Sequence, residues 1–200
     1  MKQSLSLCPL LALALAAAVP ASAQVVEITP FAGYQFGGDL EEISADNVER
    51  ELEPSPTWGL MLDFSVTAFD QVEVYFSSQG TELDRGTEPA VSVQVDTFQV
   101  GAIHQYAPGK PVNPYLGLTL GATRYGVGGS SDTRFSGALA LGIKLMVSDH
   151  YGFRFDGRFF GSSTSSGEIS CADELCVGYP DTSVIWQYAV NAGVIIKLGG

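Results

Sequence analysis

Few residues of this chain have types suited to covalent or metal chemistry. Its histidines are His104, in "AIHQY", and His150, in "SDHYG"; its cysteines beyond the first twenty-three residues are Cys171 and Cys176, in "CADELC". Ser148, Asp149 and His150 have the residue types of a hydrolytic triad. Three neighbours in a tight turn cannot align a nucleophile, its base and the acid that orients the base, so no catalytic role is expected. No cluster of His, Cys and Asp shows zinc-ligand spacing. "YGVGGSS", from Tyr125, has the glycines of a phosphate-binding loop without the lysine or the following helix. No cofactor, metal or enzymatic activity is therefore expected.

The informative charges are those set into apolar sequence. "YGFRFDGRFF", residues 151–160, alternates aromatic rings with Arg154, Asp156 and Arg158. Successive residues of a strand point to opposite faces, so this alternation asks for a sheet with one very apolar side and one polar side. With Tyr151, Phe153, Phe155 and Phe159 towards lipid, the three charges face a lumen. The same parity sends Glu27, Asp63, Glu73, Lys144 and Lys197 inward. The expectation is a lumen network of four acids and four bases in which each charge finds a partner.

Eight alternating segments position these residues. They are Val25–Phe36, Thr57–Val66, a run from Gln71, much of Val91–Tyr106, a run from Pro114, a run from Arg134, the 151–160 stretch and Ser183–Leu198. Short links "TAFD", "APGKPVN" and "SDH" alternate with long ones at 37–56, 80–90, 126–133 and 161–182. That asymmetry between the two ends is expected of outer-membrane barrels, with short periplasmic turns and long external loops. The predicted fold is all-β: an eight-stranded antiparallel up-and-down transmembrane β-barrel. Its apolar face is edged by an aromatic girdle, Trp58, Trp186 and Tyr188 near the long-loop end and Tyr106 and Tyr151 near the short-turn end. One segment breaks parity, since Val91, Val93 and Val95 fall opposite to Phe98, Val100 and Ala102. Either a β-bulge near Asp96 or Thr97 restores the pattern, or the first part stands above the membrane.

The N-terminus reads as an export signal: Lys2, the apolar run Leu10–Val19, and Ala21-Ser22-Ala23 before Gln24. Residues 1–23 are read as a cleaved signal peptide and 24–200 as a single barrel domain. Export implies an oxidising compartment, so Cys171 and Cys176 read as a local disulfide; so small a ring constrains the unfolded chain by about 2 kcal/mol.

"ITPFAGYQF", "NPYLGLTLGA" and the closing "YAVNAGVIIKL" resemble the eight-stranded outer-membrane β-barrel superfamily, of the OmpA-barrel and OmpX type, over essentially the whole mature chain. Members typically end in an aromatic residue; this chain ends in Leu198-Gly199-Gly200, with Val194, Ile196 and Leu198 keeping the spacing. The resemblance implies the outer membrane of a Gram-negative-type bacterium and a non-catalytic, envelope-structural or adhesion-type role. The alternative is a narrow conduit or binder for small apolar molecules, as in OmpW-like relatives.

The formal net charge is −12, and the segment 37–56 carries seven acids against Arg50. Glu82, Asp84, Glu88, Glu168, Asp173 and Glu174 add to the same end. An acidic crown disfavours nucleic acid and repels lipopolysaccharide phosphates unless divalent cations bridge them. The expected partners are outer-membrane lipid and lipopolysaccharide, such bridging cations, and a host or surface ligand at the external loops.

Overall fold

The computed structural model describes residues 25–42, 48–83, 91–127, 130–163, 170–172, 175–178 and 184–199. The export segment lies outside these, as do Asp84, Glu88, Glu168, Asp173 and Glu174. Eight long strands form a closed barrel: β1 (Val26–Gly37), β4 (Ser55–Ser65), β5 (Asp70–Leu83), β6 (Val91–Gln105), β7 (Val112–Val127), β8 (Ser130–Met146), β9 (Tyr151–Ser163) and β12 (Val184–Leu198). Each pairs antiparallel with its neighbour, and β1 closes on β12. Four short strands, β2 (Asp39–Glu42), β3 (Val48–Glu51), β10 (Ser170–Ala172) and β11 (Leu175–Gly178), form a second sheet in the order β10-β11-β2-β3. The first and last long links therefore fold together. At the closing seam the β1–β12 ladder skips Thr29 and Pro30, because proline brings no N–H to it.

Outward positions through the middle of the barrel are apolar, and Leu141, Phe135 and Trp58 are each more than three-fifths exposed. The inward charges other than Lys197 are buried, Arg154 being 1% exposed. A closed sheet with this polarity satisfies its own backbone and offers hydrocarbon to lipid.

Of the two alternatives for β6 the bulge is absent: its register with β5 runs unbroken from Leu83↔Val91 to Asp70↔His104. Val93 and Val95 simply face inward, where they pack with Leu52, Tyr125, Val127 and Ile185. Nor is the link at 126–133 a long loop, since β7 and β8 pair as far as Val127↔Ser130. Both findings have one cause. β6, β7 and β8 are 15, 16 and 17 residues long, whereas a membrane crossing takes about 9–11. Their outer ends project beyond the apolar band.

The edge of that band lies between two adjacent outward rows. Leu60, Phe76, Phe98, Ala122 and Phe135 are successive cross-strand partners from β4 to β8. Two residues nearer the long loops, the row reads Trp58, Ser78, Asp96, Arg124 and Thr133. There Ser78 donates to Asp96 at 2.7 Å and Gln94 donates to Ser78 at 2.8 Å. Above the edge the wall is polar outside and apolar inside, the arrangement of a barrel in water.

This boundary fixes where a cation is tolerated. Leu120→Arg, within the band, is expected to cost about 2–4 kcal/mol, and Gln94→Arg, beyond it, at most about 1 kcal/mol. Equilibrium unfolding in urea from lipid vesicles measures both, and equal costs would contradict the placement of the edge.

Candidate functional site

The lumen is built by inward positions of all eight long strands, in layers. Nearest the short turns, Lys144 from β8 donates to Glu27 of β1 at 2.5 Å and to Gln71 of β5 at 2.6 Å, and lies 3.3 Å from Asp63 of β4. Arg154 from β9 bridges Asp63 at 2.8 Å and Glu73 at 2.5 Å. Arg158, two inward positions further on, holds Glu73 at 2.8 Å and Asp156 at 2.9 Å. The charges thus form one zigzag from Glu27 through Lys144, Asp63, Arg154, Glu73 and Arg158 to Asp156. Seven of the eight charges that parity sends inward meet there.

Lys197 does not join them. It lies opposite Glu27 in the β1–β12 register, half-buried. The Glu27 carboxylate is taken by Lys144. A further buried pair that the alternation count omitted, Arg134 with Asp132, lies higher in β8.

Tyrosines complete the network. The Tyr115 hydroxyl donates to Asp156 at 2.6 Å and accepts from Arg154 Nε at 2.7 Å. The Arg154 guanidinium carbon stands 4.5 Å from the Tyr115 ring centroid, and that of Arg158 4.0 Å from the Tyr75 ring. Aromatic faces stabilise desolvated guanidinium groups where no further carboxylate fits. Gly142, opposite both Tyr115 and Asp156, leaves the space; a Cβ there would strike the Tyr115 ring. The sequence carried a signal for these rings: in "PYLGLTLG" the outward Leu116, Leu118 and Leu120 fix Tyr115 inward, and "QVEVY" places Tyr75 with Gln71 and Glu73.

Beyond the charges come Phe31, Met61, Tyr75 and Phe160, then a hydroxyl and amide layer, then the apolar cluster. In the middle layer Gln99 donates to Ser136 at 3.0 Å and accepts from Thr119 at 2.7 Å. Leu52, 1% exposed, enters the apolar cluster from the link after β3, where its N–H donates to Gly38. The lumen is thus occluded by ion pairs towards one end and by an apolar stopper at the other. Its open part is a cavity of about 800 Å³ at the short-turn end, lined among others by Glu27, Lys110, Lys144, Asp149 and Lys197.

The girdle residues Trp58, Tyr106, Tyr151, Trp186 and Tyr188 all point outward and are exposed. Trp186 stacks on Phe159 with centroids 4.6 Å apart, and Tyr188 on Phe36 at 5.8 Å. His104, expected near the short turns, faces outward there and bonds Asp70 at 2.7 Å. Cys171 and Cys176 are directly opposed in the β10–β11 register. Opposed residues of an antiparallel pair have Cα atoms about 4.5–5.5 Å apart, a separation that a disulfide can span. Among the described residues no group of three His, Cys, Asp or Glu side chains could hold a metal.

The network's weak point is loss of one member, because the partners left behind stay buried and charged. Arg154→Met is expected to destabilise the barrel by about 3–5 kcal/mol. Adding Glu73→Gln should recover part of that, a coupling of about 0.5–3 kcal/mol. Unfolding from vesicles measures it, and additive losses would argue against a shared network.

Among solved structures the chain is similar to Neisserial surface protein A, with 14% identity and a TM-score of 0.56, covering 87% of this chain and 97% of that one. It is also similar to the outer membrane protein AlkL in lipid bilayers, with 11% identity and a TM-score of 0.51, covering 89% and 91%. At such identities the likeness is one of fold. No curated protein matches the sequence. Residues 10–197 match the outer membrane protein beta-barrel domain, and with a closed eight-stranded barrel of inverted polarity the chain belongs to that family.

Proposed function

We propose that this outer-membrane barrel is a non-catalytic anchor that presents its external links to the surroundings, in an envelope-structural or adhesion-type role. The observation that carries the reading is the double occlusion of the lumen. A barrel of eight strands encloses about as much as its side chains fill, and here those side chains are committed to ion pairs and an apolar stopper. What is left to act is the exterior, above all the joint sheet of the first and last links.

That sheet is strongly acidic. Asp39 is paired with Glu51 and Glu41 with Glu49 in the β2–β3 register. Like charges directly opposed destabilise a strand pair. Divalent cations that relieve the repulsion, or bridge it to lipopolysaccharide phosphates, fit such an end as partners; so does a basic ligand on another surface. A disulfide between Cys171 and Cys176 would hold the β10–β11 hairpin that supports it. Cleavage of residues 1–23 in a Gram-negative-type bacterium completes the reading.

The second reading, a conduit or binder for small apolar molecules, draws its support from the apolar cluster of Leu52, Val93 and Val95 at the outer mouth. The two differ in planar bilayers. The anchor reading expects no discrete conductance, and expects replacement of residues 40–51 by a short Gly-Ser link to abolish binding of cells to surfaces while the barrel still migrates faster on a gel unboiled than boiled. Discrete channel openings, or adhesion undiminished by the replacement, would reject it. Calcium should raise the melting temperature of the intact protein more than that of the replaced one.

A further inference from the structure

Lys2 apart, the chain has only three lysines, Lys110, Lys144 and Lys197, and all three line the cavity at the short-turn end. Lys110 comes from the turn between β6 and β7, Lys144 from β8 and Lys197 from the last strand, so only the closed barrel brings them together. We propose that this vestibule is a dead-end binding site for a small, multiply charged oxyanion, a phosphate or a carboxylate, entering from the short-turn side.

The carboxylates facing the cavity are Glu27 and Asp149. Glu27 is consumed by Lys144, which it meets at 2.5 Å. Lys144 also leans on Asp63, already shared with Arg154. Lys197 is left half-buried, and among the described residues no carboxylate lies within ion-pair distance of it. Asp149 and Lys110 are exposed on separate turns. An ammonium partly withdrawn from water without a counter-charge is stabilised by an anion brought to it.

Polar side chains complete the lining. Asn113 donates to Gln105 and accepts from the Ala107 N–H at 3.0 Å. Gln105 therefore accepts through its oxygen and keeps its amide hydrogens for a ligand. The floor of the cavity is the Lys144 network, and beyond it the lumen is filled, so an anion could enter and be held but not pass through. The sign of the site is opposite to that of the chain as a whole, which carries −12. An anion approaching from the short-turn side does not meet the acidic links at the other end. Outer-membrane barrels direct that short-turn end to the periplasm, so the ligand would come from there.

The folded protein in detergent micelles, isotopically labelled, is titrated separately with sodium pyrophosphate and with tricarballylate, and nuclear magnetic resonance follows the amides. Expected are saturable shifts confined to residues around Gln105, Asn113 and Lys197 with at least one of the two probes, and which probe saturates assigns phosphate or carboxylate as the ligand class. Lys197→Gln should weaken that binding about tenfold or more, as loss of one charge-assisted contact. Lys110→Gln, on an exposed turn, should weaken it less. Arg124→Gln, at the other end, should leave it unchanged. Faster migration unboiled than boiled verifies that each variant is folded. No saturation by either probe, shifts centred elsewhere, or equal loss in Lys197→Gln and Arg124→Gln would overturn the proposal.

Discussion

A backbone amide in hydrocarbon has no water to turn to, and every other feature of this protein follows from that constraint. A sheet can meet it only by closing, so the first strand must find the last. Closure gives every residue one of two addresses, lumen or lipid, and fixes them by parity along each strand. One slip of register would carry Arg154 to the lipid and Phe155 to the lumen. The sole interruption in the β1–β12 ladder, at Thr29 and Pro30, falls where a residue without an N–H has no hydrogen to offer.

The inside is then a problem of desolvated charge. Ion pairs buried this deeply return little net stability, because each charge forfeits its hydration. Their contribution is discrimination. Asp63 and Glu73 each serve two cations, Arg154 serves three acids and Arg158 two, and each arginine also meets a tyrosine face. Partners come from β1, β4, β5, β8 and β9, so a strand placed in the wrong order or register would strand several charges at once. The network rewards one arrangement of strands that all have much the same lipid-facing surface.

The strand count and the inward parity of the charges were legible because each depends on a period of two and on nothing distant; closure followed from the even count. Pairing across the lumen was not legible: that Lys144 takes Glu27 and leaves Lys197 aside depends on side chains 117 residues apart in the chain. The valines of β6 were ambiguous for a different reason. Their parity allows either a bulge or a segment standing above the membrane, because inward means polar only within the bilayer. Tyr75 and Tyr115 were concealed by a related expectation, that rings belong on the lipid side.

The change of polarity with height makes this chain a membrane barrel and a water-facing barrel in succession. Where lipid surrounds it, Leu60, Phe76, Phe98 and Phe135 face out and charge fills the centre. Two residues further on, water surrounds it, Ser78, Asp96 and Arg124 face out, and Val93, Val95 and Val127 form an ordinary core. The second part is what makes long links useful. The apolar cluster gives the links a packed base, with Leu52 as the point where the first link is tied in. The opposite end has no such extension. Its strands finish at the band's edge on short turns, and there the lumen opens instead of closing. The two ends therefore differ in sign as well as in shape: acid is concentrated in the long links of one end, and lysine lines a recess within the other mouth. A single rule, that each face of the sheet matches the medium it meets, produces both.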